Sequence, residues 1–328
     1  MYKGKARAHA NIALIKYWGK KDEELILPMN SSLSLTLDSF YTETEIVFHE
    51  SFNRDEFYLN NRLQSEIDTG KISKFLDLFR RKGNVKYNAL IKTINYFPTA
   101  AGLASSASGF AALAAATNVA LGLNLQEREL SIYARQGSGS ASRSIYGGFV
   151  EWEKGYSSET SYSLPIDDGK WDIGMIIVIV NKNKKRVSSR EGMKKTVETS
   201  PFYKSWVESS KEDLENMKLA IKNRDFENLG SIAERNSLKM HGTMMGANPP
   251  IMYFEPDTIN VMEIVRDLRD EGIPAYFTMD AGPNVKILCR LSQSDIIVNR
   301  LRKFYNKEQI IVSGPGPGIR ILKGEEYD

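Results

Sequence analysis

The chain has 328 residues, 41% of them hydrophobic, which is enough for two packed domains. A formal net charge of +3 is too small to argue for nucleic acid, and no basic run alternates with aromatics as a single-strand groove requires. The single cysteine, Cys289, excludes an intrachain disulfide, and His9, His49 and His241 are too scattered to form a metal-ligand set.

Residues 1–13 carry basic side chains without a sustained apolar core, so no secretory leader is read there. Leu33, Leu35 and Leu37 alternate with Ser34 and Thr36, the period of a half-buried strand, and the β-branched Thr42–Phe48 reads as a neighbouring strand. Ile72, Phe75, Leu76 and Phe79 predict a helix over Lys71–Arg81, followed by a strand at Lys86–Ile94. Helices are predicted at Ser105–Leu121 and Leu125–Arg135, and strands at Phe149–Trp152 and Ile173–Val180. The last is the longest apolar run and is too short to cross a bilayer. The polar, basic Asn181–Arg190 marks the expected boundary between domains 1–180 and 181–328. Helices follow around Ser209–Asn223, Phe226–His241 and Thr258–Glu271, with strands at Ala275–Thr278, Val285–Cys289 and Ile310–Val312 and a local turn at Gly314–Gly318. The class is α+β. The expected protein is soluble and cytoplasmic, with no structural metal.

Five further features carry chemistry. Pro98–Gly109 is a small-residue loop feeding a helix, where backbone N–H groups and the helix dipole can hold a phosphate and Ser105, Ser106 and Ser108 can add hydroxyls. The same run suits close helix packing, and it lacks the Gly-Lys-Ser/Thr of a Walker loop. Gly137–Ser144 is a second Gly/Ser segment and carries Arg143, whose planar fork suits a carboxylate or phosphate; a surface loop is the alternative. Lys16 and Lys20 sit in the otherwise apolar Asn11–Lys20, where a lysine either meets an anion or snorkels to water. Asp280, before Ala281-Gly282-Pro283, is either a carboxylate presented at a sharp turn as a general base or a turn cap. The basic run Lys182–Arg190 suits closure over phosphates or a solvated face. Taken together, these features fit ATP-dependent phosphoryl transfer to an anionic substrate.

In one order along the chain, NIALIKYWGK (Asn11–Lys20), PTAAGLASSASG (Pro98–Gly109), GSGSASRS (Gly137–Ser144), VSSREGM (Val187–Met193) and MDAGPNVK (Met279–Lys286) resemble the diphosphomevalonate decarboxylases of the GHMP kinase superfamily, most of all their Gram-positive bacterial type. The resemblance implies a two-lobed GHMP kinase-like fold. An ATP-binding lobe (1–180) faces an α/β lobe with the catalytic aspartate (181–328), and the site lies in the cleft between them. It implies conversion of (R)-5-diphosphomevalonate and ATP to isopentenyl diphosphate, ADP, phosphate and carbon dioxide, with Mg2+, by a homodimer. By the same resemblance Asp280 is the base, Arg143 meets the substrate carboxylate, and Asn11 and Lys16 flank the reacting centre. Tyr17, Lys20, Ser138, Gly139, Ser140 and Arg190 match positions that hold the diphosphate. Pro98, Ala101, Gly102, Leu103, Ala104, Ser105, Ser106, Ser108 and Lys185 match ATP-binding positions, Ser106 also meeting the metal. Ala10 stands where relatives often have threonine. Neighbouring readings are a mevalonate-3-kinase, a decarboxylase of the monophosphate, or a non-catalytic nucleotide-binding regulator, which would have no use for Asp280 and Arg143.

Overall fold

The computed structural model describes residues 1–97, 105–181 and 185–322. Its first half is built on β1 (Tyr2–Ile15), a strand that sequence reading did not assign. The buried face of its first half is made of Gly4, Ala6 and Ala8, while Lys3, Lys5 and Arg7 alternate outward. Helix α2 (Ser105–Ala120) explains this choice, because it lies so close that a Cβ on Gly4 would collide with the Ala116 carbonyl oxygen. Smallness, not bulk, marks the inward face, so a search for large apolar residues passes over it. Two short strands follow, β2 (Lys20–Asp22) and β3 (Leu27–Pro28).

The two strands predicted at Leu33–Leu37 and Thr42–Phe48 are one continuous strand, β4 (Ser32–His49). The polar break between them, Asp38 and Ser39, is neutralised from the far end of the chain. Asp38 accepts from the Ser313 hydroxyl at 2.7 Å and the Gly314 N–H at 3.1 Å. The Leu33–Leu37 stretch is not half-buried either. Its leucines enter the core, and Ser32, Ser34 and Thr36 are also fully covered. Next come β5 (Glu56–Leu59), β6 (Arg62–Leu63), helix α1 (Glu66–Gly83), β7 (Asn88–Tyr96), α2, α3 (Glu127–Gly137), a 3₁₀ turn (Gly139–Ile145), β8 (Phe149–Trp152) and β9 (Ser163–Asp167). The sheet runs β14-β1-β4-β7-β5-β6, where β14 is Arg320–Ile321, and β8 and β9 extend it from the first part of β4. Helices α1, α2 and α3 cover one face, burying Ile72, Phe75, Leu76 and Phe79 as their spacing predicts.

A second sheet runs β11-β12-β10-β13, made of β10 (Gly174–Val178), β11 (Ala275–Thr278), β12 (Val285–Cys289) and β13 (Ile310–Ser313). Between β10 and β11 lie α4 (Ser189–Thr199), α5 (Tyr203–Lys222), α6 (Phe226–Met245) and α7 (Pro256–Asp270); α8 (Ser294–Leu301) follows β12. One core joins Leu14, Leu35 and Phe149 of the first sheet to Met175 and Ile177 of the second through Met217, Leu229 and Ala233 of α5 and α6. The other face of the second sheet packs on α7 and α8. Because β10 pairs, among the described residues, with β12 and β13 alone, we propose that the lobes divide before residue 174 rather than at 180/181. The polar run at 181–190 is conspicuous in sequence, but the strand before it lies in the second sheet.

The junction between lobes holds a titratable pair. Glu151 of β8 is buried, and Lys218 of α5 lies 3.4 Å from it. Burial, then the charge of Glu153, pushes the Glu151 carboxyl up from 4.5 to about 7, with Lys218 pulling the other way. The folded chain thus keeps a proton between pH 4.5 and 7 that the unfolded chain has released. Stability from this site is present below pH 4.5 and lost as pH rises through 7. Glu151→Gln should abolish that slope and gain about 1–2 kcal/mol over the parent at pH 8. Thermal unfolding of both proteins from pH 5 to 8.5 checks it, and parallel curves would refute it.

Candidate active site

Burial of the first lysine of NIALIKYWGK organises the site. Lys16, just after β1, is 1% exposed. Its backbone N–H donates to Asn236 Oδ1 on α6 at 2.9 Å, and its carbonyl accepts from Asn30 Nδ2 at 2.9 Å. Held by both lobes, it cannot snorkel. Its Nζ donates to the Ala13 carbonyl at 2.7 Å and to Asp280 Oδ1 at 2.8 Å.

Asp280 stands on the β11–β12 connection, where a turn closed by Gly282 N–H on the Asp280 carbonyl (2.8 Å) presents it. Ser237 of α6 clamps the preceding residue, accepting from Met279 N–H at 2.9 Å and donating to its carbonyl at 3.1 Å. The Asp280 side chain keeps 39% of its surface open to the cleft. Its second oxygen, Oδ2, lies 3.3 Å from Nζ of Lys286, a lysine only 1% exposed on β12. Enclosure opposes the charge, but Lys16 and then Lys286 outweigh it and hold the carboxyl below the usual carboxylate range. Burial pushes Lys16 down to about 8, against the pull of Asp280; Lys286 and Arg143 lower it further. His241 of α6 is buried nearby and pushed down to about 3, first by burial and then by Lys16, so it is neutral at working pH.

Arg143 comes from the 3₁₀ turn and is 2% exposed. The serines of β4 explain how it is tolerated: Ser34 Oγ accepts from Nε at 3.0 Å and Ser32 Oγ accepts from Nη1. Two positions two apart on a strand share a face, so the alternation that sends leucines to the core sends these hydroxyls to the guanidinium. Asn11 Oδ1 also accepts from Nε at 3.3 Å, while Asn11 Nδ2 donates to the Ser140 carbonyl and Ser144 Oγ at 3.0 and 2.8 Å. Nη2 has no hydrogen bond among the described residues and Arg143 lines the cleft. Burial lowers the guanidinium only to about 10, so it stays charged.

The cleft has a volume of about 310 Å³. Asn11, Lys16, Tyr17, Lys20, Ser106, Ser138, Gly139, Ser140, Arg143, Arg190 and Asp280 all line it, so the predicted residues from five distant segments share one cavity. Tyr17 packs edge-on against Trp152 with centroids 4.8 Å apart. Ser138 Oγ donates to Ser106 Oγ at 3.2 Å, joining the second Gly/Ser segment to the first turn of α2. Lys20 pairs with Glu23, while Arg190, on the first turn of α4, has no ion pair among the described residues. Lys185 donates to Ser189 Oγ at 3.3 Å and passes beside Gly282. Ser108 does not join the cleft; it is fully buried, with its hydroxyl 2.8 Å from Thr42 Oγ1 inside the fold. Pro98, Ala101, Gly102, Leu103 and Ala104 lie outside the described residues, as do Lys182 and Lys184.

Sequence reasoning missed Lys286, Asn236, Ser237 and the serines of β4. Lys286 had a signal: a lone lysine inside the apolar strand Val285–Cys289 poses the same burial problem as Lys16.

Two lobes meeting over a cleft, with a lysine-held carboxylate opposite a helix N-terminus, define a protein of the GHMP kinase fold. Similarity to known proteins narrows this. Residues 8–163 match the diphosphomevalonate decarboxylase-like N-terminal domain and residues 175–314 match the mevalonate 5-diphosphate decarboxylase C-terminal domain; the chain belongs to the diphosphomevalonate decarboxylase family. It is similar to mevalonate diphosphate decarboxylase from Staphylococcus aureus, with 50% identity, 98% of each chain covered and a TM-score of 0.95. It is also similar to a protein called MDDEF, solved in complex with MVAPP, AMPPCP and magnesium, with 52% identity, 98% of this chain and 99% of that one covered and a TM-score of 0.94. Diphosphomevalonate decarboxylase of Candida albicans is 35% identical over 323 residues, 93% of this chain and 89% of that protein.

Proposed function

We propose that this protein converts (R)-5-diphosphomevalonate and ATP to isopentenyl diphosphate, ADP, phosphate and carbon dioxide. The observation that carries this reading is Asp280, ionised between two buried lysines yet open to a cleft that also holds the Arg143 fork. Family membership and the MVAPP and AMPPCP complex of the similar MDDEF support it.

The tertiary hydroxyl of the substrate is very weakly acidic, and a carboxylate held below the usual range cannot strip it in advance. Phosphoryl transfer through a loose transition state asks little of the nucleophile. Asp280 therefore orients the hydroxyl and accepts its proton late, as the new P–O bond completes. Departure of the resulting phosphate develops positive charge on the tertiary carbon, and loss of carbon dioxide supplies the electron pair that closes the double bond. A tight ion pair would hold the carboxylate back, so Arg143 acts by aligning the breaking C–C bond with the emptying orbital. Tyr17, Lys20, Ser138, Gly139, Ser140 and Arg190 hold the diphosphate. Ser105, Ser106 and Lys185 bind the ATP phosphates.

Magnesium usually arrives with phosphates and keeps few protein ligands. That fits this cleft, where the Ser106 and Ser138 hydroxyls meet and no group of three His, Cys, Asp or Glu among the described residues could cage an ion. Ser106 would hold it, and when bound it would offset charge on the phosphate oxygens. No helix among the described residues is long and apolar enough to cross a membrane. A cytoplasmic homodimer, of about twice 37.0 kDa in sedimentation, completes the proposal.

Purified chain with Mg-ATP should release ADP and carbon dioxide one to one with the diphosphate of mevalonate, and not with mevalonate or its monophosphate. ADP without carbon dioxide would indicate a 3-kinase, and coupled release from the monophosphate would reassign the substrate.

A further inference from the structure

We propose that Lys286 is a positioning residue for Asp280, gripping the carboxylate oxygen that Lys16 leaves free and fixing the plane in which that carboxylate faces the cleft. The inference deepens the proposed function and rests on Asp280 being the base.

The geometry argues against a merely structural lysine. Lys286 sits on β12 between Val285 and Ile287, is 1% exposed, and cannot reach water. Among the described residues its Nζ meets the Asn284 carbonyl at 3.2 Å and Asp280 Oδ2 at 3.3 Å. A buried ammonium is tolerated only with an opposite charge, and Asp280 is the one carboxylate these contacts offer. Yet Lys16, at 2.8 Å from Oδ1, already keeps Asp280 ionised. What a second lysine adds is direction. With one ammonium on each oxygen, rotation of the carboxylate about its Cβ–Cγ bond breaks both contacts. A carboxylate offers about four lone-pair sites, so a free pair remains for the substrate hydroxyl.

The pairing also leaves one excess positive charge beside the reacting centre, where anionic groups must meet. Other charges and titratable groups face this cluster from every side: Arg143 from the 3₁₀ turn, Lys185 ahead of α4, and neutral His241 from α6. Lys286 lowers Lys16 through its charge, so its removal must let Lys16 hold a proton to higher pH.

Lys286→Met keeps the length of the side chain and removes the charge. Its kcat should fall about 10- to 100-fold, with KM for the diphosphate substrate within about threefold of the parent. The alkaline limb of kcat/KM should move to higher pH, because loss of the Lys286 charge lets Lys16, and Lys185 with it, hold a proton to higher pH. Lys286→Arg should lose rate while keeping the limb near its parental position, and it serves as the charged control if the Met variant folds poorly. A Met variant with parental kcat, or a slowed one whose limb stays still, overturns the proposal. So does an Arg variant whose limb moves as far as that of Met. Should the parental chain release no carbon dioxide, the functional reading fails by itself. Lysine titration followed by NMR in the ligand-free proteins then decides the grip: an upward move of the Lys16 titration in Lys286→Met supports it, and an unmoved titration overturns it.

Discussion

Asp280→Asn should lose at least about 10³-fold in turnover while the diphosphate substrate still binds. The amide keeps the shape but has no charge with which to receive a proton. Among the described residues, the groups assigned to the diphosphate, Tyr17, Lys20, Ser138, Gly139, Ser140 and Arg190, make no hydrogen bond or ion pair with Asp280, so binding survives. The substitution has a second effect, visible only from the structure. Lys16 and Lys286 would both face a neutral group, and because the Asp280 side chain keeps 39% of its surface open the cost falls below the about 3–5 kcal/mol of a fully buried pair. Thermal unfolding should therefore fall together with activity. The decisive comparison is calorimetric binding and a single-turnover ADP assay on variant protein shown to be folded. An Asn variant that turns over near the parental rate would remove Asp280 from its role.

Arg143→Lys should lower kcat about 10²- to 10³-fold, although the charge is kept. The present guanidinium spends Nε on Ser34 and Asn11 and Nη1 on Ser32, while Nη2 has no hydrogen bond among the described residues and Arg143 lines the cleft. A single ammonium cannot satisfy that buried rim and reach the substrate carboxylate at once. Partial reaction is the informative readout. If Arg143 aligns the C–C bond, phosphorylation should outrun decarboxylation in the variant, and ADP should appear ahead of carbon dioxide. Equal losses in both products would place its effect before phosphoryl transfer instead, and parental kinetics would contradict the role altogether.

Lys16, Arg143 and Asp280 stood out in the sequence because each is an awkward residue in its setting, whereas Asn11, Tyr17 and Arg190 were drawn in by the family resemblance. A lysine in an apolar run and an aspartate before Ala-Gly-Pro both point to a partner. The partner itself was not legible: Lys16 and Asp280 are separated by 264 positions, and only the fold joins them. The elements with bulky periodicity, such as α1, β8, β11 and β12, fall where their patterns put them. Strand β1 and the polar face of β4 do not announce themselves, since a closely packed helix selects Gly and Ala and a buried guanidinium selects Ser. Ser108 shows the opposite error. It belongs to a serine run that suits phosphate, but helical geometry turns it inward to Thr42.

The return of the chain from β13 to the first sheet has a further effect. Gly316 N–H donates to the Thr36 carbonyl, Gly148 N–H donates to the Gly316 carbonyl, and Arg320–Ile321 pair with Ala6 and Arg7. The second lobe is thus spliced into the first as an insert, entered after β9 and left before β14. A fragment stopped at residue 173 would lack the segment that seals its own sheet, and the two halves should be rescued only by co-expression with residues 174–322, never by the leading half alone.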